Sequence, residues 1–297
     1  MAQNQADKEE IPQGDNLMAQ NQANKEEMMF TAKDYAMPQS LEEAYEVLTA
    51  RKTNHIVAGC AWLRMGSKRI NTAVDLSDVG LDYIRDTGES IEIGAMTTYR
   101  SVETSSLLQE NFGGILSRAV APIIGVQFRN VVTVGGSVYA RFGFSDFLTP
   151  LMVLDTHVKL YKEGLISLSD FMNMPYKKDI LEKLIIKKAP VKASYQMFRN
   201  AEADFPIVNL AVSKTDGQYS VSVGARPQKA VCAKETSDYL SGAAKNVSAD
   251  TGELAEQAKE ILLSEVSFGS NMRASAGYRA KIAAVLLKRA LKEVEGC

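Results

Sequence analysis

The segment that most constrains the fold is residues 127–138, which read QFRNVVTVGGSV. Its β-branched run, followed by paired glycines, predicts a strand that ends in a tight turn. Because Gly135 and Gly136 lack a Cβ atom, their backbone N–H groups can approach a ligand closely. Successive N–H groups in such a turn form a concavity that suits an anion, especially a phosphate. Paired glycines alone usually mark only a turn, so a binding site needs a second element.

A second loop of the same kind lies far upstream, at residues 56–63, which read IVAGCAWL. An apolar strand ends at Ala58 and Gly59, and the chain must turn before Trp62. Two such loops, remote in sequence, can meet and hold one diphosphate through oriented backbone amides, without a lysine. The length of a ligand that spans both loops favours a dinucleotide over a mononucleotide.

Length and composition exclude several classes of protein. The 297 residues are enough for two domains, and 45% hydrophobic with 24% charged residues is typical of a globular protein. A net charge of −2 without a dominant basic cluster argues against nucleic-acid binding. No apolar run reaches the roughly 20 residues that span a bilayer. Cys60, Cys232 and Cys297, with two histidines, provide no disulfide framework and no metal or iron–sulfur ligand set. We therefore expect a cytoplasmic protein with reduced thiols and no metal of its own.

The chain divides into a leader and three folded regions. Residues 1–29 contain MAQNQADKEE and its near-copy MAQNQANKEE, and we expect a poorly ordered leader without a role in function. In residues 30–80, a capping box of Ser40 and Glu43 predicts a helix over 40–48, and strands are predicted at 55–58 and 72–76. This alternation predicts a small α/β unit.

The later regions are predicted to be mostly antiparallel. Turn residues at 86–89 and 162–164 predict two hairpins within 81–190, with a short buried helix over 115–124. A C-terminal domain over 191–297 begins with a hairpin across 215–218 and continues with helices. These helices are predicted near 236–244, 250–264 and 272–294. The predicted fold class is α+β.

The motifs of common enzymes are absent: the sequence has no GxGxxG that opens a helix, no GxxxxGK[ST], no HExxH and no GxSxG. Instead VAG, IGAMTT, RNVVTVGGSV, SDFLTPLMVLDTHVKLY and RNAEADFPIVNLAV occur in that order. Their order and spacing resemble the FAD-binding medium subunit of molybdenum hydroxylases, the xanthine dehydrogenase and carbon monoxide dehydrogenase family. The resemblance runs from about residue 30 to the C-terminus.

This resemblance implies a fold and a role. The fold is a PCMH-type FAD-binding domain over 30–190, with subdomains 30–80 and 81–190. A domain like the carbon monoxide dehydrogenase flavoprotein C-terminal domain follows it. In such enzymes a molybdopterin-binding large subunit hydroxylates the substrate and a small subunit carries [2Fe–2S] clusters. The medium subunit receives electrons at FAD and passes them to NAD+ or another acceptor.

The resemblance also implies the cofactor contacts. Loops like AGGTDL and TIGGN hold the FAD pyrophosphate in the family, and Asp146 matches an Asp that contacts sugar or ribityl hydroxyls. Arg129 and Asn130 would brace the glycine loop, although for Arg129 a turn-stabilising hydrogen bond to backbone carbonyls is an equally good interpretation. Thr97, Leu154 and Arg199 would lie near the flavin. The two loops correspond to Ala58, Gly59, Cys60, Ala61, Trp62 and Leu63, and to Thr133, Gly135, Gly136 and Ser137.

The first loop departs from the family pattern. Cys60 replaces a glycine, and Ala61 and Trp62 replace a polar pair, so backbone donors survive but a hydroxyl or carboxylate contact is lost. If position 60 needs a positive φ, cysteine costs on the order of 1 kcal/mol more than glycine. Trp62 could stack on the cofactor, but packing is the commoner role of a lone tryptophan. A scaffold that has lost FAD and a stand-alone PCMH-type flavin oxidoreductase are the alternative functions.

Overall fold

A computed structural model describes residues 29–226, 228–243 and 251–296 of the protein. Residues 1–28 of the expected leader, and Cys297, lie outside the described residues. The described chain forms three sheets with helices packed between and against them, which confirms the predicted α+β class.

The first sheet is parallel and lies in the predicted α/β unit. It contains β1 (Thr31–Ala36), β2 (His55–Val57) and β3 (Arg69–Asp75) in the order β1-β3-β2, with helix α1 (Leu41–Ala50) after β1. Helix α1 begins as predicted, because the Ser40 hydroxyl accepts the Glu43 N–H. Strand β2 ends at Val57, so residues 58–63 leave the carboxyl end of a parallel strand, where α/β units commonly bind ligands.

The second sheet is antiparallel, and both predicted hairpins belong to it. Its strand order is β4-β5-β8-β6-β7, and most of the short helices of this region lie between β5 and β6. The strands are β4 (Ile84–Asp86), β5 (Ser90–Gly94), β6 (Thr156–Leu160), β7 (Gly164–Ser167) and β8 (Leu181–Lys187). The helices are α2 (Tyr99–Thr104), α3 (Ser106–Asn111), α4 (Ile115–Val120), α5 (Val126–Arg129), α6 (Val134–Ala140), α7 (Leu148–Leu151) and α8 (Leu168–Asn173).

Of two predictions in this region, one is confirmed and one is wrong. The buried helix predicted over 115–124 forms over Ile115–Val120 and ends there, because Pro122 has no N–H to continue the helical ladder. The strand predicted within 127–138 is absent: α5 occupies its start, and the paired glycines form the first turn of α6. The Thr133 hydroxyl caps α6 by accepting the Gly136 N–H at 3.2 Å.

The C-terminal region is an antiparallel sheet covered by helices. Strands β9 (Val191–Phe198), β10 (Val208–Thr215), β11 (Gln218–Gly224) and β12 (Val231–Cys232) lie in the order β12-β11-β10-β9. The hairpin across 215–218 is confirmed. Helices α9 (Lys234–Ala243), α10 (Thr251–Glu265) and α11 (Ala276–Glu295) bear out the three predicted helices, and the predicted bounds at 244 and 250 lie outside the described residues.

Buried polar contacts join the C-terminal sheet to the preceding region. The Thr149 hydroxyl of α7 donates to Asn209 Oδ1 at 2.8 Å, and the Ser222 hydroxyl donates to the Thr149 carbonyl at 2.6 Å. All three residues are fully buried. Asn209 also donates to Asp146, a residue that lines the cavity described next.

Candidate functional site

A cavity of about 710 Å³ lies where the parallel sheet, the helical region and the C-terminal domain meet. Residues 58–63 line it, together with Thr133 and residues 135–137, and residues 203–205 enter from the C-terminal domain. The predicted convergence of the two loops is therefore confirmed. A volume of this size is typical of a pocket that holds a cofactor-sized ligand.

The two loops touch through their backbones at Gly59. A Cβ atom built on Gly59 would lie 1.5 Å from the Val131 carbonyl oxygen and 2.4 Å from its carbon. Only glycine permits this approach. Gly135 is similarly enclosed, since a Cβ atom there would lie 2.8 Å from both the Cβ and the carbonyl oxygen of Ala95.

The backbone N–H groups of Gly135 and Gly136 already donate hydrogen bonds to other groups of the protein. The Gly135 N–H donates to the Ala95 carbonyl at 2.7 Å, and the Gly136 N–H donates to the Thr133 hydroxyl. The prediction that both amides face a ligand is therefore wrong. The pair serves the close packing of α6 against Ala95 instead.

The first loop does offer free donors. Within the described part of the chain, the amides of residues 59–63 donate no hydrogen bond to protein, whereas the next amides, Arg64 and Met65, donate to the carbonyls of Cys60 and Trp62. Unpaired amides that line a cavity need a partner, and an anion satisfies several at once. This loop is the part of the site best suited to a diphosphate.

Cys60 has the left-handed backbone conformation considered above, with φ 51°. Its replacement of glycine therefore carries a backbone cost, of about 1–2 kcal/mol. Burial raises the pKa of the Cys60 thiol, so the thiol stays protonated near neutral pH. A protonated thiol is a poor nucleophile, which argues against a redox role for Cys60.

Asp146 lies on the cavity wall at the centre of a buried polar network. Its Oδ1 accepts hydrogen bonds from the Tyr195 hydroxyl at 2.5 Å and from Asn209 Nδ2 at 3.5 Å. Its Oδ2 lies 2.9 Å from Arg199 Nη2, an ion pair without an aligned hydrogen bond. Burial raises the pKa of Asp146, while Arg199, Tyr195 and Asn209 oppose that rise. Arg199 and Tyr195 come from β9 and its end, so the C-terminal domain fixes this carboxylate.

An aromatic cluster covers the same end of the cavity. Trp62 packs against the rings of Phe142, Phe144 and Phe205, with centroid distances of 5.4, 4.7 and 5.8 Å. The packing role of Trp62 is thus present, although 46% of the residue remains exposed. The cluster joins the first loop, the segment before Asp146 and the C-terminal domain.

Four of the residues carried over from the family do not line the cavity. Arg129 binds the Glu103 carboxylate at 2.8 Å and the Ile123 carbonyl at 3.0 Å, which supports the turn-stabilising interpretation. The Thr97 hydroxyl exchanges two hydrogen bonds with the Tyr83 backbone. Asn130 is exposed, and Leu154 is half-buried against the core.

Several residues of the site were missed from the sequence. Tyr195 and Asn209 lie far along the chain from Asp146, and no local pattern connects them. The alternation in RFGFSD at 141–146 was a usable signal for Phe142 and Phe144, because aromatic residues beside a ligand-binding aspartate suggest a cavity wall.

A comparison of this chain with the sequence profiles of protein families decides which family it belongs to. The family described as "FAD binding domain in molybdopterin dehydrogenase" matches residues 28–191, more than half of the chain. The chain belongs to this family. The family described as "CO dehydrogenase flavoprotein C-terminal domain" matches residues 193–294. The protein is therefore an FAD-binding medium subunit of the molybdenum hydroxylase family, an oxidoreductase subunit whose cofactor is FAD.

Relatives of similar length are medium subunits. The nicotine 6-hydroxylase medium subunit of Paenarthrobacter nicotinovorans is 26% identical over 284 residues, covering 90% of this chain and 98% of the relative. The glyceraldehyde dehydrogenase medium chain of Sulfolobus acidocaldarius is 22% identical, covering 88% and 97%.

Solved structures of the family share the fold. Carbon monoxide dehydrogenase from Oligotropha carboxidovorans aligns with a TM-score of 0.81 and 23% identity, covering 91% of this chain and 99% of that chain. Quinoline 2-oxidoreductase from Pseudomonas putida 86 aligns with a TM-score of 0.78 and 22% identity over the same fractions. These TM-scores establish a shared architecture.

The residues present fit FAD: the cavity is large enough, unpaired amides line it, and Gly59 leaves room for the loops to meet. In the described ranges, no helix is long and apolar enough to cross a membrane. Nor do those ranges contain a cluster of three or more His, Cys, Asp or Glu residues arranged for a metal ion.

Proposed function

We propose that this chain holds FAD between its two loops and transfers electrons within a molybdenum-dependent hydroxylase complex. The partners would be a molybdopterin-binding large subunit and a [2Fe–2S] small subunit, with NAD+ or another acceptor taking the electrons. Support comes from the subunit names of the relatives and from a cavity that both loops line. A cytoplasmic location agrees with the free thiols of Cys60 and Cys232.

The residues of the first loop would hold the diphosphate. The amides of residues 59–63 are the donors without a protein partner, and the backbone contact at Gly59 sets their distance from the second loop. Among the carried-over residues, Thr133, Gly136 and Ser137 line the opposite wall. Gly135 would act by letting α6 approach Ala95.

The C-terminal domain would complete the site at the aromatic end. Asp146 would accept hydrogen bonds from hydroxyl groups of the cofactor, while Tyr195 and Arg199 hold its carboxylate in place. Trp62 and its aromatic neighbours would exclude water there. When bound, FAD supplies the ability to collect electrons that arrive singly and to release them in pairs.

The observation that carries this proposal is the row of unpaired amides facing a cavity shared by both loops. The test is to remove flavin from the purified protein, add FAD, and measure stoichiometry and affinity by the visible absorbance of the bound flavin. We expect one FAD per chain. A fully folded protein that binds no FAD would favour the scaffold alternative.

A second measurement separates a complex subunit from a stand-alone enzyme. The FAD-loaded chain is purified alone and together with its co-expressed partner subunits, and acceptor reduction is followed with each. We expect substrate-dependent electron transfer only when the molybdopterin-binding and [2Fe–2S] subunits are present. Substrate oxidation by the isolated chain would instead support the stand-alone oxidoreductase.

A further inference from the structure

One part of the cavity wall, here called the basic end, carries three basic side chains. His55, Lys68 and Lys178 all line it. His55 begins β2, which ends at Val57, before the first-loop amides of residues 59–63. The three basic side chains therefore belong to residues other than the proposed diphosphate donors.

The basic groups are close to one another. The Lys68 ammonium lies 3.3 Å from Nδ1 and 3.2 Å from Nε2 of His55. The Lys178 ammonium donates to the carbonyls of Arg51 and Lys52, at 2.6 and 3.2 Å. Neither lysine forms an ion pair with any carboxylate in the described part of the chain.

The carboxylate beside them is occupied elsewhere. Asp179 also lines the cavity, but its oxygens accept the backbone N–H groups of Lys162, Glu163 and Ile180 at 2.7–3.1 Å. Its negative charge is therefore held by the backbone donors of Lys162, Glu163 and Ile180. Among the residues that the structure describes, the two lysines have no counter-ion of their own.

Burial is the main cause of a lowered pKa at all three groups. Burial, together with Lys68 and Lys178, lowers the pKa of His55 to about 4. Burial lowers the pKa of both lysines, and Lys68 contributes to the lowering at Lys178. Near neutral pH His55 is therefore neutral, and the positive charge of the cluster comes from the two lysines. Ammonium groups without a counter-ion gain from an anion placed between them.

We propose that His55, Lys68 and Lys178 form a binding site for a phosphate-class oxyanion at this end of the cavity. The anion is either a phosphate carried on the ribose of a bound adenosine nucleotide or free inorganic phosphate. None of these three residues is among the cofactor contacts proposed above. The site is tested on the flavin-free protein, so its failure is distinct from a failure to bind FAD.

The first measurement compares thermal unfolding of the flavin-free protein in phosphate and in chloride at equal ionic strength. Phosphate should raise the melting temperature of the wild type, because a ligand of the folded state stabilises it. Lys68→Gln and Lys178→Gln should each abolish most of this rise. Glutamine keeps a donor for the carbonyls that Lys178 binds, and Lys68 is exposed, so both variants should fold. The matched controls Lys33→Gln and Lys281→Gln remove an exposed lysine elsewhere and should respond to phosphate as the wild type does.

The second measurement identifies the source of the anion by calorimetric titration with AMP and with adenosine 2′,5′-bisphosphate. A nucleotide-borne phosphate predicts that the bisphosphate binds at least about tenfold more tightly, with the gain lost in Lys68→Gln. If AMP and the bisphosphate bind with equal affinity while phosphate still raises the melting temperature, the anion is free inorganic phosphate. The proposal is overturned if the wild type, the two site variants and the controls show the same change in melting temperature with phosphate and the same affinity for the bisphosphate.

Discussion

Replacing Gly59 with alanine tests whether the two loops must touch for the site to form. The added Cβ would lie 1.5 Å from the Val131 carbonyl oxygen, and ordinary contact begins near 3.4 Å. Backbone atoms cannot rotate away, so the loops must separate by about 2 Å. Overpacking of this kind costs about 1–3 kcal/mol. If that cost falls on the FAD-bound state, affinity drops by about 5- to 150-fold.

The matched control is Gly66→Ala, three residues beyond the first loop. A Cβ atom there would meet only the Leu63 carbonyl oxygen, at 3.7 Å, and the Gly66 φ of −118° is accessible to alanine. FAD affinity is measured by flavin titration of the flavin-free proteins, and circular dichroism with thermal melts verifies folding. We expect Gly66→Ala to bind as the wild type does. Our reasoning is refuted if Gly59→Ala binds FAD with the affinity of Gly66→Ala.

Three further predictions concern the wall of the cavity. Asp146→Asn leaves the buried Arg199 without its partner and should cost about 3–5 kcal/mol of unfolding free energy, measured by urea titration. Asp204→Asn, which breaks a more exposed aspartate–arginine pair, should cost less than about 1 kcal/mol; equal losses would contradict the role of burial. His55 has a pKa of about 4 in the folded protein, against an ordinary 6.5. Between pH 4 and 6.5 its imidazole is therefore protonated in the unfolded chain but neutral in the folded protein. The free energy of unfolding should therefore rise by about 2 kcal/mol from pH 4 to 6.5, after allowance for the partial exposure of His55. His55→Gln should remove this rise. If the variant keeps the pH profile of the wild type, this assignment to His55 is refuted. Cys60→Val should unfold at a lower temperature than Cys60→Gly, since a β-branched side chain suits φ 51° worst, and the reverse order in thermal melts would show that backbone strain does not set the stability at this position.

Elements set by local sequence could be predicted, and elements set by distant contacts could not. The hairpins depended on turn residues such as Gly88 and Gly217, which adopt positive φ values of 90° and 77°. Helix α1 depended on its Ser40 cap. The prediction of a strand near the paired glycines was wrong, because it relied on the usual preference of β-branched residues for strands. There the backbone is fixed instead by Gly135 against Ala95, a contact about 40 residues apart in sequence.

The candidate site divides in the same way. The convergence of the loops followed from two glycine-containing segments whose order matched a known family. The direction of the loop amides could not be predicted from the sequence, because the Gly135 amide donates to a carbonyl in a separate segment. The partners of Asp146 were equally inaccessible, since Tyr195 lies 49 residues further along the chain. The basic end went unnoticed because His55, Lys68 and Lys178 are ordinary residues until the fold brings them together.

The most direct test of the central claim is a crystal structure of the protein with FAD bound. We expect the diphosphate between the amides of residues 59–63 and the wall that contains Gly136, with the flavin ring toward Asp146 and the C-terminal domain. Electron density for the diphosphate outside the space between the two loops would contradict this claim.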